Sequence, residues 1–97
     1  MQQVLLILNL SPDMEEDMVD WLLMQDEIDG FTSMMVYGHG AHAKNMSLDE
    51  QVMGRQKRVQ FMVHGEQSQM QALLAAAQQT WPDSDLRYVL MPVMQAG

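Results

Sequence analysis

The stretch QVLLILNL, Gln3 to Leu10, is apolar at nearly every position and ends after eight residues. A short, almost continuous apolar run suits a β-strand buried on both faces. It has no basic leader before it and is far shorter than the ~20 residues that span a bilayer. A soluble cytoplasmic protein with no direct membrane insertion is therefore expected.

Working outward, Ser11-Pro12 reads as a helix start, with a side-chain acceptor at the cap and proline in the first turn. The helix is expected to run to about Ile28. Met14, Met18 and Leu22 form its buried stripe, widened by Trp21. Asp13, Glu15, Glu16 and Asp17 crowd its first turns, where the helix dipole favours negative charge. Phe31 to Tyr37 reads as a second strand. Residues 38–55 form a long connection, inside which Ser47-Leu48-Asp49-Glu50 is a capping box for a short helix, about 48–53. Lys57 to His64 alternates cleanly: Val59, Phe61 and Val63 face one way, and Arg58, Gln60, Met62 and His64 the other. Ser68 to Thr80 is a helix by the spacing of Met70, Leu73, Leu74 and Ala77. Leu86 to Met91 is a fourth strand, closed by Pro92.

The order strand, helix, strand, strand, helix, strand predicts an α+β, ferredoxin-like βαββαβ fold. Four antiparallel strands would carry both helices on one face, in a single domain spanning residues 1–97. Because the first strand is central and apolar on both sides, the open face also needs cover. In a chain of 97 residues, subunit association is the expected cover.

Composition narrows the function classes. There is no cysteine, which excludes disulfides, thiolate metal sites and cysteine nucleophiles. The net charge of −8 argues against nucleic-acid binding, which needs lysine and arginine on phosphates. Eight of the 13 acidic residues lie between Asp13 and Asp29, and four of the five basic residues between Lys44 and Arg58. Such blocks mark either two surfaces with different partners or the solvated face of a helix. The 12 methionines read mostly as flexible core filler. No histidine–carboxylate–nucleophile constellation stands out, so no enzymatic activity is expected.

The segments DMVDWLL, GFTSMMVYGHG, SLDEQVMGRQKRVQF and YVLMPV together resemble an uncharacterised proteobacterial family of PII-like architecture, encoded beside heavy-metal efflux pumps of the resistance-nodulation-division type. The resemblance implies a homotrimer of ferredoxin-like subunits. It also implies a regulatory or accessory protein whose long loop between the second and third strands touches a metal-efflux transporter or its regulator. A small ligand in the clefts between subunits would set the loop's shape. Gly38-His39-Gly40 falls where PII proteins have a Gly-x-Gly entering that loop. The phosphate-gripping, glycine-rich segment with a lysine before the last PII strand is here Thr80-Trp81-Pro82-Asp83-Ser84-Asp85, and the basic pair after that strand is Pro92-Val93-Met94. Acidic groups repel phosphate, so ATP binding in the usual PII manner is not expected.

Two candidate sites follow. His39 and His42, with Met46 near and Asp49 and Glu50 beyond, offer donors for Cu, Zn, Ni or Co, which would make the protein a metal buffer or carrier. Their spacing matches no specific zinc signature, and hairpin-tip histidines in water are the alternative. Gly38, His39 and Gly40, with Arg55, Lys57 and Arg58 across the hairpin, form a candidate ligand site for a phosphate or carboxylate. The alternative is that Arg55 and Arg58 pair with Asp49, Glu50 or a neighbouring subunit's acidic helix.

Overall fold

A computed structural model describes residues 2–40, 48, 50 and 54–97. Four strands, β1 (Gln3–Leu10), β2 (Thr32–Gly38), β3 (Gln56–Glu66) and β4 (Arg87–Pro92), form one antiparallel sheet in the order β2-β3-β1-β4. Helix α1 (Glu15–Leu23) links β1 to β2, and α2 (Gln67–Thr80) links β3 to β4. This is the expected ferredoxin-like βαββαβ arrangement, with β1 and β3 central and β2 and β4 at the edges.

Register explains the core. Leu6 stands between Val63 and Leu90, Leu8 between Phe61 and Tyr88, and Met35 is opposite Val59. Leu6, Leu8, Val59 and Phe61 are fully covered, together with Met18 and Leu22 of α1 and Met70 and Ala77 of α2. Burying each large apolar side chain stabilises the fold by about 1.5–3 kcal/mol. Trp21 meets Trp81 edge to face, with centroids 5.4 Å apart, and joins the end of α1 to the end of α2.

Within a single chain β1 is covered on one face, which leaves the open face that the sequence reading expects. Val4, Leu6, Leu8 and Leu10 are buried, whereas Leu5, Ile7 and Asn9 are half-exposed. With Met34, Met62, Val89 and Met91 on the same side, the open face is apolar over much of its area. The first helix is shorter than the 12–28 span. A 3-10 turn, Pro12–Met14, precedes α1, which ends at Leu23. Asp26, Glu27 and Asp29 would have placed negative charge at the negative end of the helix dipole. The side-chain amide of Gln25 instead donates to the Trp21 carbonyl at 2.9 Å and closes the last turn. Ser11 makes no side-chain cap; its hydroxyl is used elsewhere. β3 runs longer than 57–64 and passes straight into α2 at Gln67. No helix among the described residues is long and apolar enough to cross a membrane.

Candidate functional site

β1 and β4 run antiparallel, so the C-terminal end of β1 lies beside the start of β4. β2 ends at the same edge of the sheet, where β3 begins. At this corner a cavity of about 270 Å³ opens on the helix-free face. Gly38, His39 and Gly40 form one wall as β2 ends; Ile7 and Val89, paired in register, form an apolar floor. Gly38 pairs with Gln56, and a Cβ on it would make ordinary contacts with the Arg58 side chain at 3.7 Å and the Gln56 carbonyl oxygen at 3.8 Å.

Arg58 lines the cavity and is only 4 % exposed. A guanidinium so deep needs partners, because an unpaired buried charge is costly. Its Nε donates to Asn9 Oδ1 at 2.6 Å, and its Nη2 donates to the Asn9 and Asp85 carbonyls, each at 3.0 Å. Its Nη1 donates to Asp85 Oδ2, forming an ion pair. The Ser11 hydroxyl donates to the same Asp85 oxygen at 2.9 Å. Three chain segments are thereby tied together: the end of β1, β3 and the approach to β4. Burial on its own would raise the Asp85 carboxyl. The hydrogen bonds from Arg58 and Ser11 and the guanidinium's charge outweigh it and hold the carboxyl below its ordinary value.

The residues of the candidate ligand site divide between the two faces of the sheet. Gly38, His39, Gly40 and Arg58 share the cavity. Tyr37 and Lys57 are opposite one another and, by strand alternation, lie with Val59 on the helix-bearing face. The Arg55 guanidinium stacks over the Tyr37 ring, 4.0 Å from its centroid, and its buried Nε has no hydrogen-bond partner among the described residues. The Lys57 backbone N–H donates to Glu50 Oε2 at 2.7 Å. Arg58 does pair with an acid of its own chain, Asp85; Asp49, one of the expected partners, lies outside the described residues.

Of the two candidate metal ligands, His39 is exposed at the cavity wall, and His42 lies outside the described residues, as do Met46, Ser47 and Asp49. Among the described residues, no three histidine, aspartate or glutamate side chains cluster to hold a metal ion. His64 is exposed at the opposite end of β3, beside the C-terminal segment.

Sequence reasoning missed Asn9, Asp85 and Arg87. Asn9 was legible as a polar residue inside an apolar central strand, which demands a hydrogen-bonding partner. Arg87 comes to the cavity only through the β1–β4 pairing, in which it is opposite Asn9, and Asp85, two residues before it, acts on the cavity through its contact with Arg58.

Several solved structures share this fold over nearly the whole chain. A DUF3240 family protein from Shewanella baltica is 25 % identical and superposes with a TM-score of 0.79, over 98 % of this chain and 93 % of that one. CPII, a nitrogen regulatory PII-like protein from Thiomonas intermedia in complex with ADP, AMP and bicarbonate, is 16 % identical. It gives a TM-score of 0.72 over 100 % of this chain and 94 % of its own. GlnK from B. subtilis, in complex with ATP, is 14 % identical, with a TM-score of 0.66 over 96 % and 85 %. These similarities establish a PII-like fold. No curated protein matches the chain. The family model described as "Protein of unknown function (DUF3240)" matches residues 1–97, the full length, and the protein belongs to that family.

Proposed function

We propose that the protein is a non-enzymatic PII-like regulatory or accessory protein that works as a homotrimer in the cytoplasm. A small ligand at the cavity changes how the segment from His39 to Gly54 meets a partner, a heavy-metal efflux transporter or its regulator. The observation that carries this reading is the shared position of cavity and segment. Gly38, His39 and Gly40 both wall the cavity and lead into residues 41–54. A ligand touching that wall acts on the segment directly.

Two further observations support it. The open face holds Leu5, Ile7, Met34, Met62, Val89 and Met91 beside the cavity, and Val89 is 52 % exposed in the single chain. Exposed apolar surface of this kind favours association, which would also place a neighbouring subunit against the cavity. A protein of the same fold is found with ADP, AMP and bicarbonate, which supports a small-molecule ligand. ATP held in the usual PII manner does not fit the acidic residues 80–85, where Asp85 already engages Arg58.

The test replaces residues 41–53 by a glycine–serine linker of equal length. Binding to the membrane fraction containing the cognate efflux pump should be lost while the oligomer mass is unchanged. Undiminished binding by the linker variant would remove this segment from the interface and the regulatory reading with it.

A further inference from the structure

The cavity's charge points to the class of ligand, an inference that rests on reading the cavity as a small-ligand site. We propose that Asp85 sets its selectivity: by engaging Arg58 it excludes multiply charged ligands, and Arg87 is left to receive a small organic monocarboxylate. An arginine has five N–H donors. Four of those on Arg58 are spent on Asn9 and Asp85, and its charge is balanced on the spot by a carboxylate. To hold a phosphate chain, the cavity would have to displace Asp85 or place several negative charges beside it.

Arg87 is in the opposite condition. It lines the same cavity, it is exposed, and among the described residues it makes no ion pair. Guanidinium binds carboxylate through two parallel hydrogen bonds. Val89 stands two residues further along β4, ~6.5–7 Å away at the usual strand rise, and pairs with Ile7. One cation beside an apolar floor matches one carboxylate on a small apolar body. An engineered cavity of about 150 Å³ holds benzene, so about 270 Å³ has room for a ring or branched chain with its carboxylate.

The experiment is calorimetric titration of the full chain with benzoate and with pyrophosphate at one fixed ionic strength. Asp85→Asn and Arg87→Gln are compared with the wild type, and folding of each is checked by circular dichroism. The wild type should bind benzoate at least tenfold more tightly than pyrophosphate. Arg87→Gln should weaken benzoate at least tenfold, and Asp85→Asn should strengthen pyrophosphate at least tenfold. Tighter pyrophosphate than benzoate in the wild type, or a folded Asp85→Asn with unchanged pyrophosphate affinity, overturns the role of Asp85 and leaves the cavity a ligand site. If Asp85→Asn does not fold, the wild-type preference and Arg87→Gln decide. Binding of neither probe to any form overturns both this inference and the small-ligand reading.

Discussion

Replacing Asp85 by asparagine tests the polar network around Arg58 with almost no change of shape. The amide oxygen can still accept from Nη1, but the charge is gone. Arg58, at 4 % exposure, keeps its bonds to Asn9 and to the Asp85 backbone carbonyl and loses the carboxylate that balances its charge. Breaking a fully buried ion pair costs about 3–5 kcal/mol. The Asp85 side chain is 39 % exposed, so water screens the pair and that range is a ceiling. A hydrogen bond to a charged group contributes about 1.5–3 kcal/mol, and a loss of about 2 kcal/mol is expected. In a domain of this size that corresponds to a midpoint lower by roughly 8–16 °C. Urea unfolding at one fixed protein concentration measures it, since association couples stability to concentration. The slope should not change. A loss under about 0.5 kcal/mol, typical of a neutral surface substitution, would refute the claim that Asp85 supports a buried cation.

Acid should abolish the same contribution. The Asp85 carboxyl lies below its ordinary 3.8 in the folded state, so its stabilisation is complete well above that value and is lost as pH falls through the depressed one. The stability gap between wild type and Asp85→Asn should therefore be flat from about pH 5 to 8 and narrow below about 3.8; a gap that widens on acidification contradicts the assignment. Phe61→Ala removes the largest fully buried side chain, which also packs against Phe31 at 6.0 Å, and should cost about 3–5 kcal/mol in the same assay.

Strand identity and pairing partners were legible wherever a simple period governed. The alternation through Val59, Phe61 and Val63 assigned the two faces of β3, and the Met70–Ala77 spacing assigned the second helix. The end of the first helix was not legible from its apolar stripe, because Gln25 and the acidic residues after it decide where the last turn closes. Arg58 stood out as a basic residue on the open face, yet its partner lies 27 residues further along the chain. No local pattern links Arg58 to Asp85; the link needs β3 to reach across β1 to the approach of β4. Arg55 and Lys57 looked equivalent to Arg58 by charge alone. Alternation places Lys57 on the helix face, and the Tyr37 ring holds Arg55 there.

The central claim is a PII-like trimer whose open sheet faces are buried against each other. Light scattering on a size-exclusion column at micromolar concentration tests it most directly. The account predicts a particle of three times the 11.1 kDa chain mass. It also predicts that Met62→Glu, which puts a charge on the open face opposite Ile7, shifts that particle toward the single chain. A stable wild-type monomer of 11.1 kDa under these conditions would contradict it.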